Sequence, residues 1–399
     1  MTKLNIVWGM YIMKSNEIYR IFGTDYKEMT KRLLDEASLA LSIKAKAGCL
    51  PSPVIGIKPN LVSPVPASFG ATTHPEIIAG IIEYLQENHF NNIIICEGSW
   101  VGDKTSDAFE YCGYNTLAKK YGVRIFDTKK DSSYKSKYKD VEFNICSCVK
   151  KINFLINVPV LKGHCQTKVT CALKNMKGLI PDTEKRRFHS MGLHRPIAYL
   201  NKCIRQDFIV IDGICGDPYF EDGGNPLERN CIMAAKDPVL ADAYACTVLG
   251  IRPEDVQYIQ LAAKEKAGNS CLNDLILTDI TDEGRNTFSF SGEPLGTTSL
   301  SEDSVPMDIK YAATEIDSCS ACYNALVNAL LYLKEKGLLT ELTEDKGCKF
   351  SIGQGFKGTT CTDEKNIGVG NCTRCFARSI PGCPPSPEDI ISYLSSTDL

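Results

Sequence analysis

Short apolar runs alternate with longer stretches of helical periodicity over the first 130 residues of the chain. The runs at 54–58 and 92–96 are predicted to be buried strands, whereas 27–47 and 75–85 carry the spacing of helices. Pro75 suits the first turn of a helix, because a missing backbone N–H costs no hydrogen bond there. Alternation of this kind predicts a parallel sheet that helices cover on both faces.

The same pattern continues beyond residue 130. The further predicted elements are a strand at 4–8, a helix at 105–121, and strands at 123–126, 153–158, 208–212 and 231–235. Residues 280–304 are polar and rich in Gly, Ser and Thr, so we expect an irregular β linker there. The pattern predicts an α/β fold with parallel-rich, Rossmann-like sheets over 1–305, as one domain or as two lobes (1–145 and 146–305). A small cysteine-rich cluster module at 306–399 completes the predicted chain.

Composition narrows the class of protein. The chain has 399 residues, 43% of them hydrophobic and 23% charged, and a net charge of −3, which excludes an overall basic nucleic-acid binder. No apolar run approaches the roughly 18 residues of a membrane span, and the first residues resemble a strand rather than a signal peptide. Nineteen cysteines in core-like stretches indicate a reducing compartment. We therefore expect a cytoplasmic protein that binds neither nucleic acid nor membrane, with its oligomeric state left open.

Five cysteines near the end of the chain form two CxxC pairs and a Cys-Pro step. Because thiols stay free in a reducing compartment, grouped cysteines indicate metal ligands or redox groups. A CxxC pair at the start of a helix points two sulfurs in one direction, and the helix dipole favours thiolates. The pattern predicts an iron–sulfur cluster, in the first place [4Fe–4S]. A four-cysteine zinc site and unliganded core cysteines are the alternatives.

A cluster with four cysteine ligands leaves one of the five cysteines as a bystander. The runs at 349–352 and 366–369 are predicted strands that lead into glycine-rich turns, where the backbone can approach a cluster closely. Cys372 falls where the second of these strands ends, and Cys383 lies in a proline-rich loop that cannot be helical. The predicted ligands are Cys319, Cys322, Cys372 and Cys383, with Cys375 as the alternative ligand. A helix at 323–336 is predicted to support the first CxxC pair.

Polar side chains follow three of the predicted strands. Lys58 and Asn60 follow the first, Glu97 ends the next, and Lys162 and His164 come after the strand at 153–158. Ligand clefts in open parallel sheets form at the carboxyl ends of the strands. We predict that Lys162 neutralises an anion there, while His164 and Glu97 act as the groups that move protons.

A positively charged segment includes the last of these strand ends. Residues 162–189 contain seven Lys or Arg against two acidic residues, a net of +5 in a chain of net −3. Local positive charge in an acidic protein favours a small anionic ligand, and a solvated helix face is the alternative interpretation. The predicted anion-binding residues are Lys58, Asn60, Lys168, Lys174, Asn175, Lys177, His189 and, at a later strand end, Asp212.

Seven short blocks, in order within 50–265, resemble the domain-of-unknown-function 362 family. They are 57–61, 73–76, 95–98, 160–164, 173–179, 210–213 and 234–243. The resemblance maps the family's motif positions onto Lys58, Asn60, Glu97, Lys162, His164, Lys174, Asn175, Asp212, Asp237 and Asp242. Members often carry iron–sulfur modules, commonly ferredoxin-like, but the cysteine spacing here departs from a ferredoxin run. The ending 381–385 is similar instead to the last cluster-ligand loop of hydrogenase small subunits and related complex I subunits.

The family has no general assigned reaction, so the resemblance implies fold and cluster rather than chemistry. The leading hypothesis is an iron–sulfur oxidoreductase of the reductase type. It would pass electrons to an anionic substrate or cofactor in a Lys- and His-lined cleft, with a ferredoxin or flavodoxin as electron partner. The alternatives are a non-redox lyase or transferase that a cluster or zinc braces, and a dedicated electron carrier.

Overall fold

The computed structural model describes residues 12–164, 166–292, 307–316, 318 and 320–396. The chain divides into two compact units. Unit 1 comprises Met1–Gly163, Val169–Pro218 and Gly223–Gly296, and unit 2 comprises His164–Lys168, Tyr219–Asp222 and Thr297–Leu399. The predicted strand at 4–8 and the predicted boundary at 305–306 lie outside the described residues.

The bounds of the elements are as follows. The strands are β1 (Glu17–Phe22), β2 (Ile55–Pro59), β3 (Ile93–Glu97), β4 (Arg124–Asp127), β5 (Ser133–Tyr138), β6 (Val141–Cys146), β7 (Phe154–Val158), β8 (Lys162–His164), β9 (Lys168–Thr170), β10 (Phe208–Gly213), β11 (Cys231–Ala235), β12 (Ile276–Thr281), β13 (Gly284–Ser289), β14 (Ala313–Glu315), β15 (Lys349–Ile352), β16 (Asn366–Val369) and β17 (Arg378–Ile380). The helices are α1 (Tyr26–Glu36), α2 (Leu39–Ala47), α3 (Pro75–Glu87), α4 (Thr105–Tyr111), α5 (Tyr114–Tyr121), α6 (Ala172–Asn175), α7 (Asp182–Ser190), α8 (His194–Cys203), α9 (Pro238–Val248), α10 (Gln257–Lys264), α11 (Met307–Ala312), α12 (Ser320–Glu335), α13 (Leu338–Thr340) and α14 (Pro387–Leu394).

Unit 1 is built on a large mixed sheet. Within the described residues it has nine strands in the order β13-β12-β1-β11-β10-β7-β2-β3-β4. The five strands from β10 to β4 run parallel to one another, which confirms the predicted α/β fold with a parallel-rich sheet. Strand β11 runs antiparallel to both β10 and β1, so it is not one more repeat of the parallel pattern.

Alternate side chains of the central strands pack into two separate cores. In β10, Phe208 and Val210 belong to one core, and Ile209 and Ile211 belong to the other. Helices α1, α2, α3 and α5 contribute to the first core, whereas α6, α8, α9 and α10 contribute to the second. Successive strand residues point to opposite faces of a sheet, so this division places helices on both faces, as predicted. No helix among the described residues is long and apolar enough to cross a membrane.

Two helices predicted as single elements are each divided. The segment 27–47 breaks between α1 and α2 at Ser38, whose backbone is left-handed with φ of 55°. The segment 105–121 breaks between α4 and α5, where Gly113 has φ of 78°. A left-handed residue ends a helix while the apolar spacing continues into the next one, so the periodicity does not reveal the break.

As far as the structure describes unit 2, it contains a four-stranded sheet in the order β14-β15-β16-β17, parallel throughout. Apolar side chains of β15 and β16 pack with those of helices α12 and α14 in one core. Phe220, from the loop Tyr219–Asp222, is buried in the same core. Strands β15 and β16 have the predicted bounds, and the helix predicted at 323–336 is present as part of α12.

Candidate functional site

Lys58 and Glu97 form a buried ion pair at the carboxyl ends of two adjacent parallel strands, β2 and β3. Lys58 Nζ lies 2.6 Å from Glu97 Oε2, and the two side chains are 0% and 3% exposed. The backbone N–H of Gly98 donates to Glu97 Oε1 at 2.7 Å, and that of Leu61 donates to Oε2 at 3.1 Å. The structure thus brings these two predicted site residues together, with their charges compensating each other.

Asn175 and Gly178 enclose this ion pair. Asn175 Oδ1 accepts a hydrogen bond from Lys58 Nζ at 3.2 Å, and the Asn175 amide donates to Asn157 Oδ1 at 2.7 Å. A Cβ on Gly178 would lie only 1.9 Å from Glu97 Oε1 and 2.4 Å from Lys58 Cε. A side chain at position 178 would therefore displace the ion pair, and glycine permits the close approach.

Asp242 holds the short helix that carries Lys174 and Asn175. Its carboxylate accepts hydrogen bonds from the backbone N–H of Ala172 at 2.6 Å and from the Tyr258 hydroxyl at 3.0 Å. Burial raises the pKa of Asp242 to about 7, against the opposing effect of these donors. Asp242, a motif position implied by the family resemblance, therefore positions α6.

Two lysines of the basic segment are buried against backbone carbonyl groups. Lys162 is 1% exposed, and its Nζ donates to the Ala71 carbonyl. Lys185 Nζ donates to the carbonyls of the two residues that follow Glu97, at 2.9 and 2.8 Å. Burial lowers the pKa of Lys185, although the carboxylates of Asp182 and Glu97 act in the opposite direction. Sequence reasoning did not single out Lys185, because its charged segment resembles a solvated helix.

The other predicted anion-binding residues differ widely in exposure. Asn60 is buried, and Lys174 is buried with its Nζ donating to the Thr170 hydroxyl at 3.2 Å. Lys168 is exposed, whereas Lys177 and His189 are half-buried. Because the buried lysines contact protein oxygen atoms, the segment 162–189 is not a uniform solvated basic face.

His164 pairs with a carboxylate from a loop of unit 2. Its Nε2 lies 2.7 Å from Glu221 Oε2, and the side chains are 1% and 15% exposed. The backbone N–H groups of Gln166 and Thr167 donate to Nδ1 at 3.0 and 3.1 Å. These donors require a lone pair on Nδ1, so the ring proton lies on Nε2 and faces the carboxylate. The predicted catalytic histidine therefore belongs to the same unit as the predicted metal ligands.

A second histidine, His74, forms a group of contacts that sequence reasoning missed. Its Nδ1 lies 2.9 Å from Asp212 Oδ2, and its Nε2 lies 3.7 Å from Cys215 Sγ. Burial acts to lower the pKa of His74, but the Asp212 carboxylate outweighs it and raises the pKa to about 10. The predicted anion-binding residue Asp212 is thus already paired with an imidazolium. The sequence feature that could have indicated this group is Cys215, which lies just beyond the strand that ends in Asp212-Gly213.

The predicted metal ligands follow the carboxyl ends of parallel strands in unit 2. Cys322 lies in the first turn of α12, which comes after β14. Cys372 lies in the 3-10 turn after β16, and Cys383 follows β17 by three residues. Parallel strands end at the same edge of a sheet, so these loops are neighbours. Cys319, between β14 and α12, lies outside the described residues.

Backbone contacts hold these loops close together. The Asn371 N–H donates to the Gly382 carbonyl at 2.8 Å, and the Gly382 N–H donates to Asn371 Oδ1 at 2.9 Å. A Cβ on Gly370, where φ is 84°, would lie 3.6 Å from Cys322 Sγ. The turn after β16 is therefore adjacent both to the loop of Cys383 and to the sulfur of Cys322.

Neighbouring groups have opposing effects on the Cys372 thiol. Burial raises the pKa of Cys372; Lys357 offsets part of this rise, and nearby Cys383 adds to it. Cys375 is exposed, beyond the turn that holds Cys372. Within the described part of the chain, no group of three or more His, Cys, Asp or Glu side chains is arranged to hold a metal ion. Cys319, the remaining predicted ligand, is not among those residues.

Fold and site together define a mixed α/β protein with polar residues gathered at the carboxyl ends of parallel strands. Residues 55–247 match the family model described as Domain of unknown function (DUF362). The match spans a little under half of the chain and confirms the predicted resemblance over that segment. The cysteines from 319 onward lie outside it.

One relative and one solved structure are similar to parts of the chain. A thylakoid-associated protein of Synechocystis sp. is 23% identical over 228 residues, which cover 53% of this chain and 67% of that protein. The lactate racemase apoprotein of Thermoanaerobacterium thermosaccharolyticum is similar with a TM-score of 0.37 and 13% sequence identity. That likeness covers 57% of this chain and 56% of the racemase chain, so this chain spans little more than half of that protein's length.

Proposed function

We propose that the protein is an iron–sulfur redox protein in which Cys319, Cys322, Cys372 and Cys383 bind a [4Fe–4S] cluster. The observation that supports this proposal is the parallel sheet of unit 2. Three of its strands, β14, β16 and β17, are each followed by one or more of these cysteines. Thiolate sulfur is the ligand that iron–sulfur clusters take, and a bound cluster would supply one-electron transfer.

The turns beside the cysteines fit a bulky inorganic group. Gly370 and Gly382 have φ values of 84° and 140°, in a region that side chains rarely adopt. Without side chains at these two positions, backbone groups can lie against a cluster. The Cys322 sulfur lies beside Gly370, and the Cys372 and Cys383 thiols influence each other electrostatically. These contacts connect the loops that carry three of the four proposed ligands, and Cys319 would complete the set.

His164 is the proposed proton-transfer group of the reaction. The carboxylate of Glu221 accepts its Nε2 proton, and backbone donors hold the other ring nitrogen, so the ring orientation is set before any substrate binds. The proposed substrate or cofactor is a small anion. A ferredoxin- or flavodoxin-like protein would be the electron partner.

Metal analysis of the full chain, purified without oxygen, tests the cluster. We expect about four irons and four sulfides per chain and a broad absorbance near about 400 nm. Cys372→Ala and Cys383→Ala should each lose most of the iron. The matched control is Cys361→Ala, because Cys361 is a half-buried cysteine of the same unit that does not follow one of the three strand ends.

Several outcomes would decide against the proposal or against its details. Colourless protein with one zinc per chain would refute the redox function. A cluster that dithionite cannot reduce would instead favour the non-redox alternative, in which the metal only braces unit 2. If Cys375→Ala lost the iron and Cys383→Ala retained it, the fourth ligand would be Cys375 rather than Cys383. The His164→Ala variant should keep its iron content but lose its catalytic activity, since His164 is proposed to transfer a proton and not to bind the metal.

A further inference from the structure

A cavity of about 550 Å³ in unit 1 lies beside the carboxyl end of β10 and the start of α3. Cys215 and His74 line its wall, and Tyr26, Glu76 and Glu228 are among the other lining residues. None of these five side chains is among the predicted site residues. Neither Lys58 nor Glu97 is among the residues that line the cavity.

Asp212, His74 and Cys215 form an ordered chain of contacts at this cavity. The Asp212 carboxylate is fixed by two backbone donors, the N–H of His74 at 2.8 Å and the N–H of Ile214 at 3.1 Å. It holds the His74 ring at 2.9 Å, and the opposite ring nitrogen lies 3.7 Å from Cys215 Sγ, within reach of a sulfur hydrogen bond. A carboxylate that orients an imidazole beside a thiol is the arrangement that activates cysteine nucleophiles.

We propose that Cys215, His74 and Asp212 form a thiol nucleophile site, and that the cavity admits an acyl donor, an ester or thioester of neutral or positive charge. Asp212 is the positioning residue of the group, and Cys215 and His74 contact the substrate. This activity is independent of an iron–sulfur cluster.

The reaction at this site balances without an external oxidant or reductant. The Cys215 thiolate forms a bond to the acyl carbon, the bond from that carbon to the leaving alcohol or thiol breaks, and the leaving group takes the proton of the His74 imidazolium. The neutral imidazole then accepts a proton from water while the water oxygen forms a bond to the acyl carbon. The carbon–sulfur bond breaks, the carboxylic acid leaves, and the Cys215 thiolate and the His74 imidazolium are restored. Burial acts to lower the pKa of His74, but the Asp212 carboxylate raises it to about 10, so the imidazolium that gives its proton to the leaving group is present at neutral pH.

The charges around the cavity determine which substrate fits. The described lining contains the carboxylates of Glu76 and Glu228 and no lysine or arginine. Burial raises the pKa of Tyr26, and the negative groups of Cys215, Glu228, Asp212 and Glu76 add to that rise. An anionic acyl donor would meet this negative field, so a neutral or cationic donor is favoured.

The cavity also supplies a matched control thiol. Cys112 lines the same cavity and is about as buried as Cys215, at 5% against 6% exposure. The sulfurs of both cysteines contact a backbone carbonyl, that of Val65 at 3.2 Å for Cys112 and that of Ala67 at 3.4 Å for Cys215. Of the two, Cys215 contacts an imidazole, whereas Cys112 contacts the Thr72 hydroxyl at 3.9 Å. Burial raises the pKa of the Cys112 thiol, as expected for an inert cysteine.

Alkylation of the full chain with iodoacetamide, resolved by peptide mass spectrometry, tests the nucleophile. At neutral pH, Cys215 should react at least about tenfold faster than Cys112 in the wild type. His74→Gln should remove this difference. Iodoacetate should react with Cys215 more slowly than iodoacetamide. Equal rates at the two cysteines in the wild type, a comparison that requires no variant, would refute an activated thiol.

Acylation with p-nitrophenyl acetate tests the reaction class. We expect a burst of p-nitrophenolate of about one equivalent per chain and an acetyl group on Cys215. Fast alkylation of Cys215 without its acetylation would overturn the acyl-transfer assignment. Faster reaction with iodoacetate than with iodoacetamide would overturn the assigned substrate charge.

Discussion

Substitution of Glu97 by glutamine would leave the Lys58 ammonium buried without its counter-ion. The amide preserves the shape of the side chain but removes its charge. Lys58 is completely buried and would keep two neutral acceptors, the Pro59 carbonyl at 2.6 Å and Asn175 Oδ1 at 3.2 Å. A buried cation with only neutral acceptors is poorly compensated, so we expect Glu97→Gln to lower the free energy of unfolding strongly.

The separation of the charged atoms sets the scale of this loss. At 2.6 Å and an effective dielectric constant of about 20, the attraction between the two charges is about 6 kcal/mol. Part of this attraction offsets the cost of removing both groups from water. Loss of one partner from a buried pair costs about 3–5 kcal/mol, and we expect a value in this range for Glu97→Gln.

Urea titrations followed by far-UV circular dichroism measure this change in a double-mutant cycle. The cycle comprises Glu97→Gln, Lys58→Met and the double variant, and the double variant should lose less than the sum of the single losses. Glu87→Gln is the control. Its ion pair with Lys31 has a similar separation of 2.7 Å, but Glu87 is 58% exposed, so its loss should stay below about 1 kcal/mol.

A loss of stability in Glu97→Gln no larger than that in the exposed control would contradict charge compensation between Glu97 and Lys58. Single losses that simply add in the double variant would contradict it too, because independent side chains do not share a coupling energy. Either result would mean that water or protein relaxation compensates Lys58 as well as the carboxylate does.

Three further predictions concern the groups around this pair and the cavity of unit 1. Gly178→Ala should lower the free energy of unfolding by about 1–3 kcal/mol or more in the same urea titration, because the alanine Cβ would overlap Glu97 Oε1. An unchanged unfolding midpoint would contradict this close approach. Asp242→Asn should lower the free energy of unfolding by about 1–3 kcal/mol at pH 7, because an amide N–H₂ would face the N–H and O–H donors of α6 and Tyr258. A neutral or stabilising effect would show that the carboxylate does not organise α6. His74 has a folded-state pKa raised to about 10 from its usual 6.5, so its ion pair with Asp212 stabilises the fold fully below pH 6.5 and loses this contribution as the pH rises through about 10. The difference in unfolding free energy between wild type and His74→Gln should shrink over this window, and a difference that stays constant from about pH 6 to 10 would argue against the imidazolium.

Local patterns in the sequence predicted most of the strands and helices that position the site. Strands β11, β15 and β16 have the predicted bounds. A short run of apolar and β-branched residues is a local signal for a strand, so the residues within the run are sufficient to predict it. Strand β1 was missed. Its Glu17 and Arg20 interrupt the apolar pattern, yet both are buried, and Arg20 pairs with Asp279 at 2.6 Å across the sheet.

The direction of a strand and the partner of a side chain belong to the tertiary structure. The spacing of apolar residues is the same whichever way a strand runs in the sheet. Strand β11 was therefore predicted as a further parallel repeat, whereas it runs antiparallel to its neighbours. Likewise, the sequence showed that Lys58, Glu97 and His164 follow strands, but not which groups they meet.

The sequence by itself therefore determined the α/β class, the strand-end positions of the polar residues and the grouping of the cysteines, because residue type and spacing along the chain are sufficient for these. Only the tertiary structure paired Lys58 with Glu97, His164 with Glu221, and His74 with both Asp212 and Cys215. Each of these contacts joins residues that are distant in the chain. Their proximity depends on the order of strands in the sheet and on the packing of loops, neither of which is encoded in any local pattern.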